Sequence, residues 1–157
     1  YLATIPPGTL NVHKLSRNLG VDDRTGGKYL EILMETGLAR GLFADKAGGA
    51  LVRKPKKLFL DNPSLYYSIC HDLGQAPQPG SLRELFFLNA VETAGHTVRY
   101  SNDIGDFRVN DCYFEIGGHG KDARQVRGAD CPAWIVKDDI LTAHGMTMPL
   151  YHFGFLQ

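Results

Sequence analysis

"GDFRVNDCYFEIGGHGKDARQ", Gly105 to Gln125, sets two short apolar runs around acids and then turns cationic. "DIGDFRVN" and "CYFEI" read as neighbouring strands, and they carry Asp106 and Glu115 nine positions apart. "KDARQVRG" beyond them reads as a helix. Two carboxylates on adjacent strands offer the oxygen ligands that Mg²⁺ takes while keeping its waters. A metal held in that way can activate water against a phosphodiester. Such a nuclease site wants a lysine two residues past the glutamate, and that position is Gly117. The nearby amine is Lys121, six residues past Glu115, and His119 lies between them as a further base. "GGHG" is followed by no GK[ST], so it is no phosphate-binding Walker loop. The reading predicts Asp106 and Glu115 close together, an empty lysine position at Gly117, weak binding of divalent metal and no cleavage of DNA.

Upstream, "SLRELFFLNAVETAG" has the pattern of a capping box, Ser81 to Glu84, and a strongly apolar helix face. Glu84 is a third candidate carboxylate, although the capping box accounts for it without catalysis. "HTVRYS" precedes the two acid-bearing segments as another strand; "AWIV" reads as a core strand and "PLYHFGFLQ" as a final one. Helix, antiparallel strands, helix and strand make a small α/β sandwich. Leu85, Phe86, Leu88 and Trp134 are the residues expected in its core.

Toward the N-terminus, "TLNVHKLSRNLG" predicts a short helix with Thr9 as cap, Val12, Leu15 and Leu19 on one face, and Gly20 as its stop. "VDDRTGGKYLEILMETG" predicts a second helix, capped by Asp22 or Asp23, with Tyr29, Leu30, Leu33 and Met34 buried. "LARGLF" and "LVRKPKKLFLD" then read as a hairpin around "ADKAGGA". Helix, turn, helix, hairpin is the winged helix-turn-helix order, to about Asp61. In that arrangement Arg24, Thr25 and Lys28 would face a DNA groove, and Lys46, Arg53, Lys54, Lys56 and Lys57 would hold phosphates. Gly26 and Gly27 supply no base-reading side chain, and Asp22 and Asp23 repel phosphate. A protein-docking role for the same face therefore stands beside DNA binding. "DNPSLYYSICHDLG" reads as a helix and "QAPQPG" as a boundary or hinge; the second unit is taken as residues 62–157.

Composition fits a globular chain: 157 residues, 43% apolar, 22% charged, net charge zero. The balance is uneven. Up to Asp61 there are ten Lys and Arg against six Asp and Glu; from Asn62 there are seven against eleven. The first unit thus suits a polyanion and the second a cation. No apolar run reaches the ~18 residues of a membrane span, and "YLATIPPGTL" lacks the basic start of a signal peptide. Cys70, Cys112 and Cys131 show no CxxC pairing, which fits reduced thiols in a cytoplasm better than a disulfide frame or zinc knuckle.

"KYLEILMETGLARGL", "KPKKLFLDNPSLYYSI", "LRELFFLNAV", "GDFRVNDCYFEIGG" and "MPLYHFGFLQ" closely resemble the C-terminal half of a prokaryotic family of AAA-type predicted ATPases. The resemblance runs from about Thr9 to Leu156. It implies a winged helix followed by a domain of unknown function with the PD-(D/E)xK restriction-endonuclease-like fold. By the same resemblance Glu84, Asp106 and Glu115 fall on the family's acidic positions, and Gln125 on a helical glutamine of related nucleases. A lysine commonly follows the family's double glycine; here that place is His119, with Lys121 two further on. No Walker A or B motif lies in these residues, so the resemblance implies that ATP would bind only through an N-terminal domain outside them. The expected function is a nucleic-acid- or partner-binding C-terminal region, non-catalytic and without a cofactor of its own. DNA, a protein partner or the ATPase domain is the expected ligand. The alternatives are a Mg²⁺-dependent nuclease using Asp106, Glu115 and Lys121, and a winged-helix transcription regulator, which would need a dimerising stretch.

Overall fold

The computed structural model describes residues 2–4, 10–44, 55–101, 103–118, 120–121, 126 and 131–156. The chain is α+β. Two helices, α1 (Val12–Leu19) and α2 (Asp23–Glu35), are followed by strands β1 (Ala39–Leu42) and β2 (Lys57–Leu60), which pair antiparallel. Helices α3 (Pro63–Asp72) and α4 (Pro79–Thr93) lead into a five-stranded sheet. Its order is β3 (Val98–Tyr100), β4 (Phe107–Val109), β5 (Cys112–Gly117), β6 (Ala133–Lys137) and β7 (Thr147–Pro149). The pairing is antiparallel from β3 to β5 and parallel from β5 to β7.

Asn11 caps α1 by accepting from the Lys14 amide at 2.9 Å, and Asp22 caps α2 through the amides of Arg24 and Thr25. Thr9, the expected cap of α1, lies outside the described residues. Gly26 turns out to serve packing: a Cβ there would meet Ser16 Oγ at 2.0 Å, so α1 approaches α2 too closely at that point for a side chain at position 26. Leu19 and Tyr29, expected on the buried stripes, are 46% and 47% exposed. The first core closes on Leu15, Leu30, Ala39 and Leu58, with Leu33 and Met34 packed beside them.

The two-stranded sheet is covered on both faces. Ala39 and Leu58 join the first core, whereas Leu42 and Phe59 join the main core with Leu85, Phe87, Leu88, Phe107 and Val136. The main core therefore draws on residues from both sides of Asp61. Arg40 reinforces the junction: its guanidinium donates to Glu92 Oε2 at 2.6 Å, Asp61 Oδ1 at 2.9 Å and Asn89 Oδ1 at 3.3 Å.

Three expectations need correction. Helix α4 starts at Pro79, whose missing amide costs nothing in a first turn, with Gln78 as a cap that makes no side-chain bond. Ser81 consequently sits inside the helix, its hydroxyl buried without a partner among the described residues, and no capping box forms. The terminal segment is no strand beyond Pro149: Leu150–Phe155 is a 3-10 helix, which turns Leu150 and Phe153, three residues apart, onto the main core. Phe86 and Trp134 are only half-buried, and Phe87 takes the central place. Its ring lies 5.2 Å from that of Phe107, 5.1 Å from Phe114 and 4.7 Å from Phe153. The expected helix "KDARQVRG" falls mostly outside the described residues.

Truncating Phe87 empties the point where four aromatic rings meet. Phe87→Ala should cost about 3–5 kcal/mol in chemical denaturation. Phe86→Ala, removing a half-buried ring, should cost clearly less.

Candidate functional site

The strand register continued by one residue from Phe107↔Phe114 sets Asp106 opposite Glu115. At that point β4 peels away from β5. The Asp106 carbonyl accepts from the Ser101 amide at 3.3 Å, and its carboxylate Oδ2 accepts the Ile116 amide at 2.9 Å. A side chain thus takes the backbone donor that the departing strand leaves. Gly105 makes the bend, with φ +65°, where a Cβ would stand 2.7 Å from the Phe114 carbonyl oxygen, a conformation that other residues adopt only under strain. Asp106 is fixed by backbone on both sides.

Glu115 is 2% exposed and pairs with the Lys121 ammonium. Gly117 makes that contact sterically feasible: a Cβ there would stand 2.8 Å from Cβ and Cγ of Lys121 and 2.9 Å from Cδ. The lysine position predicted to be empty is therefore covered by the stem of Lys121. A Gly117→Lys chain would displace that lysine, not fill a gap.

Glu84 projects from the first half of α4 and accepts from Lys57 Nζ at 2.7 Å; the same ammonium lies 3.8 Å from Asp106 Oδ1. The Lys57 side chain is 10% exposed and Glu84's is 16%. The faces of Tyr100 and Phe107 flank the ammonium, each ring centre 5.9 Å away. This overturns the assignment of Lys57 to a phosphate-binding rim. On β2 it shares a face with Phe59, two residues on, and both point into the main core. That alternation was the signal in "KKLFLD" that the flanking lysines obscured.

Burial pushes the Glu84 carboxyl above the ordinary glutamate range, opposed by Lys57 and reinforced by Asp106. Burial also raises Glu115, opposed by its bond to Lys121 and reinforced by Asp106. For Lys121 burial works against the charge, but Glu115, Asp106 and Glu84 together hold its ammonium above the ordinary lysine value. The cluster thus sets three carboxylates against two ammonium groups. Among the described residues no three His, Cys, Asp or Glu side chains converge as a metal cage.

The other sequence-predicted residues lie elsewhere. Arg24 and Lys28 are exposed on α2, beside a groove of about 380 Å³ whose lining also includes Leu10, Val12, Leu30 and Pro55. The acids Asp23 and Glu31 line the same groove. Thr25 is half-buried and its hydroxyl donates to Asp22 Oδ2 at 2.7 Å, so it is engaged in the cap, not held out to a base. Lys56 is half-buried, its backbone bonded to Leu10 and Leu42. Lys46, Arg53, Lys54, His119 and Gln125 lie outside the described residues. No helix among the described residues is long and apolar enough to cross a membrane.

Lys57→Met leaves Glu84 buried without its counter-charge and should cost about 3–5 kcal/mol at neutral pH. Joint replacement of Lys57 and Glu84 by apolar residues should recover much of that loss in denaturant titrations.

The pH dependence follows from linkage. A carboxyl raised on folding holds, above 4.5, a proton that the unfolded chain has released. The stability contributed by Glu84 and Glu115 is therefore full below 4.5 and lost as pH rises through their raised values. Lys121 behaves oppositely at the alkaline end: its contribution is full below 10.5 and lost as pH rises through its raised value. Urea unfolding of Glu84→Gln across the mildly acidic range should show a shallower fall of stability with pH than the parent. An unchanged slope would mean that Glu84 is not raised on folding.

Comparison with protein-family models, curated proteins and solved structures returns no match to this chain.

Proposed function

We propose that the chain is a binding region of a larger AAA-type ATPase, a winged helix joined to a restriction-endonuclease-like domain, and that it does not cut nucleic acid by itself. The observation that carries the reading is the internal neutralisation of the acids. Glu84 and Asp106 share the Lys57 ammonium, and Glu115 pairs with Lys121. A metal entering there must first displace a protein cation, and none of the three acids is held ready to orient a metal-bound water. The exposed face of α2, with Arg24 and Lys28, is the surface the region presents to DNA or to a partner.

A second reading, a Mg²⁺-dependent nuclease with a rearranged site, is favoured by one feature. Lys121 reaches Glu115 across Gly117, so an amine stands beside the acid that a PD-(D/E)xK site needs, although it comes from a different position.

Fluorescence anisotropy of a labelled duplex over a salt series tests the first reading. Binding should weaken steeply with salt as counterions return to the phosphates, and Arg24→Glu/Lys28→Glu should weaken it at least about tenfold. Binding indifferent to salt and to both substitutions would assign the α2 face to a protein partner. The same duplex should survive incubation with Mg²⁺ or Mn²⁺. Cleavage that disappears in Glu115→Ala would establish the second reading instead.

A further inference from the structure

We propose that the groove beside α2 is a docking site for a polypeptide segment, one that seats an apolar side chain over Gly27 and carries an acidic and a basic side chain beside it. The inference rests on the reading of the α2 face as the binding surface of this region. It adds the class of partner.

Three observations carry it. First, the floor is apolar and forms the edge of the first core. Leu30 and Pro55 are buried, whereas Leu10 and Val12 pack against that core and stay half-buried where they line the groove of about 380 Å³. The Leu10 amide donates to the Lys56 carbonyl at 2.6 Å, which ties the chain before α1 to the chain before β2 and fixes the floor. Apolar surface held open to water in this way favours an apolar guest.

Second, Gly27 leaves a gap in the α2 wall. An added Cβ there would meet nothing within 4 Å among the described residues, in contrast to Gly26, which α1 covers. Glycine inside a helix is unfavourable relative to alanine, and no contact among the described residues calls for it at position 27. The bare backbone leaves room for a side chain supplied from outside.

Third, the rim carries both signs in order. Asp23, Gly27 and Glu31 stand four residues apart and share one row of α2, and Arg24 and Lys28 make the next row. Among the described residues Arg24, Lys28 and Glu31 enter no ion pair, while Asp23 lies 3.0 Å from His13 Nδ1. A duplex presents phosphates of a single sign, and the carboxylates of Asp23 and Glu31 repel them. A polypeptide can set an acid against Arg24 and Lys28 and a base against Glu31. The row from Asp23 to Glu31 spans about 12 Å, roughly the reach of four extended residues. One short segment therefore holds the apolar anchor and both charges.

The test is selection of a random peptide phage library on the parent chain. Synthesised copies of the enriched peptides are then measured by fluorescence anisotropy on the parent, Gly27→Leu and Glu31→Lys, beside the labelled duplex. Enriched peptides should share an apolar residue flanked by an acid and a base. Gly27→Leu fills the groove and should weaken their binding at least about tenfold. It places a better helix former at an open position, so its melting temperature should stay at or above the parent's. Glu31→Lys should weaken the peptides and strengthen any binding of the duplex, so the sign of its effect separates the two classes of partner. Failure to enrich any peptide, or peptides that bind Gly27→Leu as tightly as the parent, would overturn the proposal. Duplex binding that Glu31→Lys strengthens, without an enriched peptide, would give the groove to nucleic acid and leave the binding function standing. Binding of neither peptide nor duplex would overturn both.

Discussion

One ammonium group, that of Lys57, sets the arrangement of the rest. Removing a lysine and a glutamate from water costs several kcal/mol per ion, and only close geometry with further partners offsets that. Glu84 at 2.7 Å, Asp106 at 3.8 Å and two aromatic faces supply the partners. Meeting these contacts requires β2 to lie against α4 and against the point where β4 leaves β5. Arg40, on the neighbouring strand, repeats the device with Glu92, Asn89 and Asp61. Glu84, Asn89 and Glu92 of α4 thus meet two cations of β1 and β2, while Leu85, Leu88 and Val91 fill the main core.

The charge asymmetry of the sequence acquires a different meaning in this light. A basic first part and an acidic second part suggest two surfaces seeking outside partners of opposite sign. Part of that charge is met inside the molecule, because Arg40 and Lys57 from the basic part answer Glu92, Glu84 and Asp106 from the acidic one. The cations that stay exposed on α2, Arg24 and Lys28, share their groove with Asp23 and Glu31. Fewer lysines and arginines are thus left to face outside partners than a count suggests.

Local chemistry made much of this legible in the sequence. Asp22 capping α2, the paired strands of which one starts just after Asp106 and the other carries Glu115, and the buried face of Leu85 and Leu88 all follow from short-range patterns that tertiary packing did not override. The misses have the opposite character. Lys57 stands in a run of lysines and reads as solvated until Phe59 fixes the face of its strand. Ser81 and Glu84 match a capping box in spacing, but Pro79 starts the helix earlier and frees Glu84 for a partner 27 residues upstream. Gly117 reads as the loss of a lysine, yet its bare Cα is what Lys121 crosses. Each depends on a contact between distant segments, which periodicity cannot register.

The central claim is that Lys57 holds the charge of a buried Glu84. A ¹³C NMR titration of the Glu84 carboxyl, in the parent chain and in Lys57→Met, tests it most directly. The account predicts a Glu84 that titrates above the ordinary glutamate value in the parent and moves higher still once Lys57 is gone. A Glu84 that titrates at the ordinary value in both chains would show that the two side chains do not share a buried site, and the account would fail.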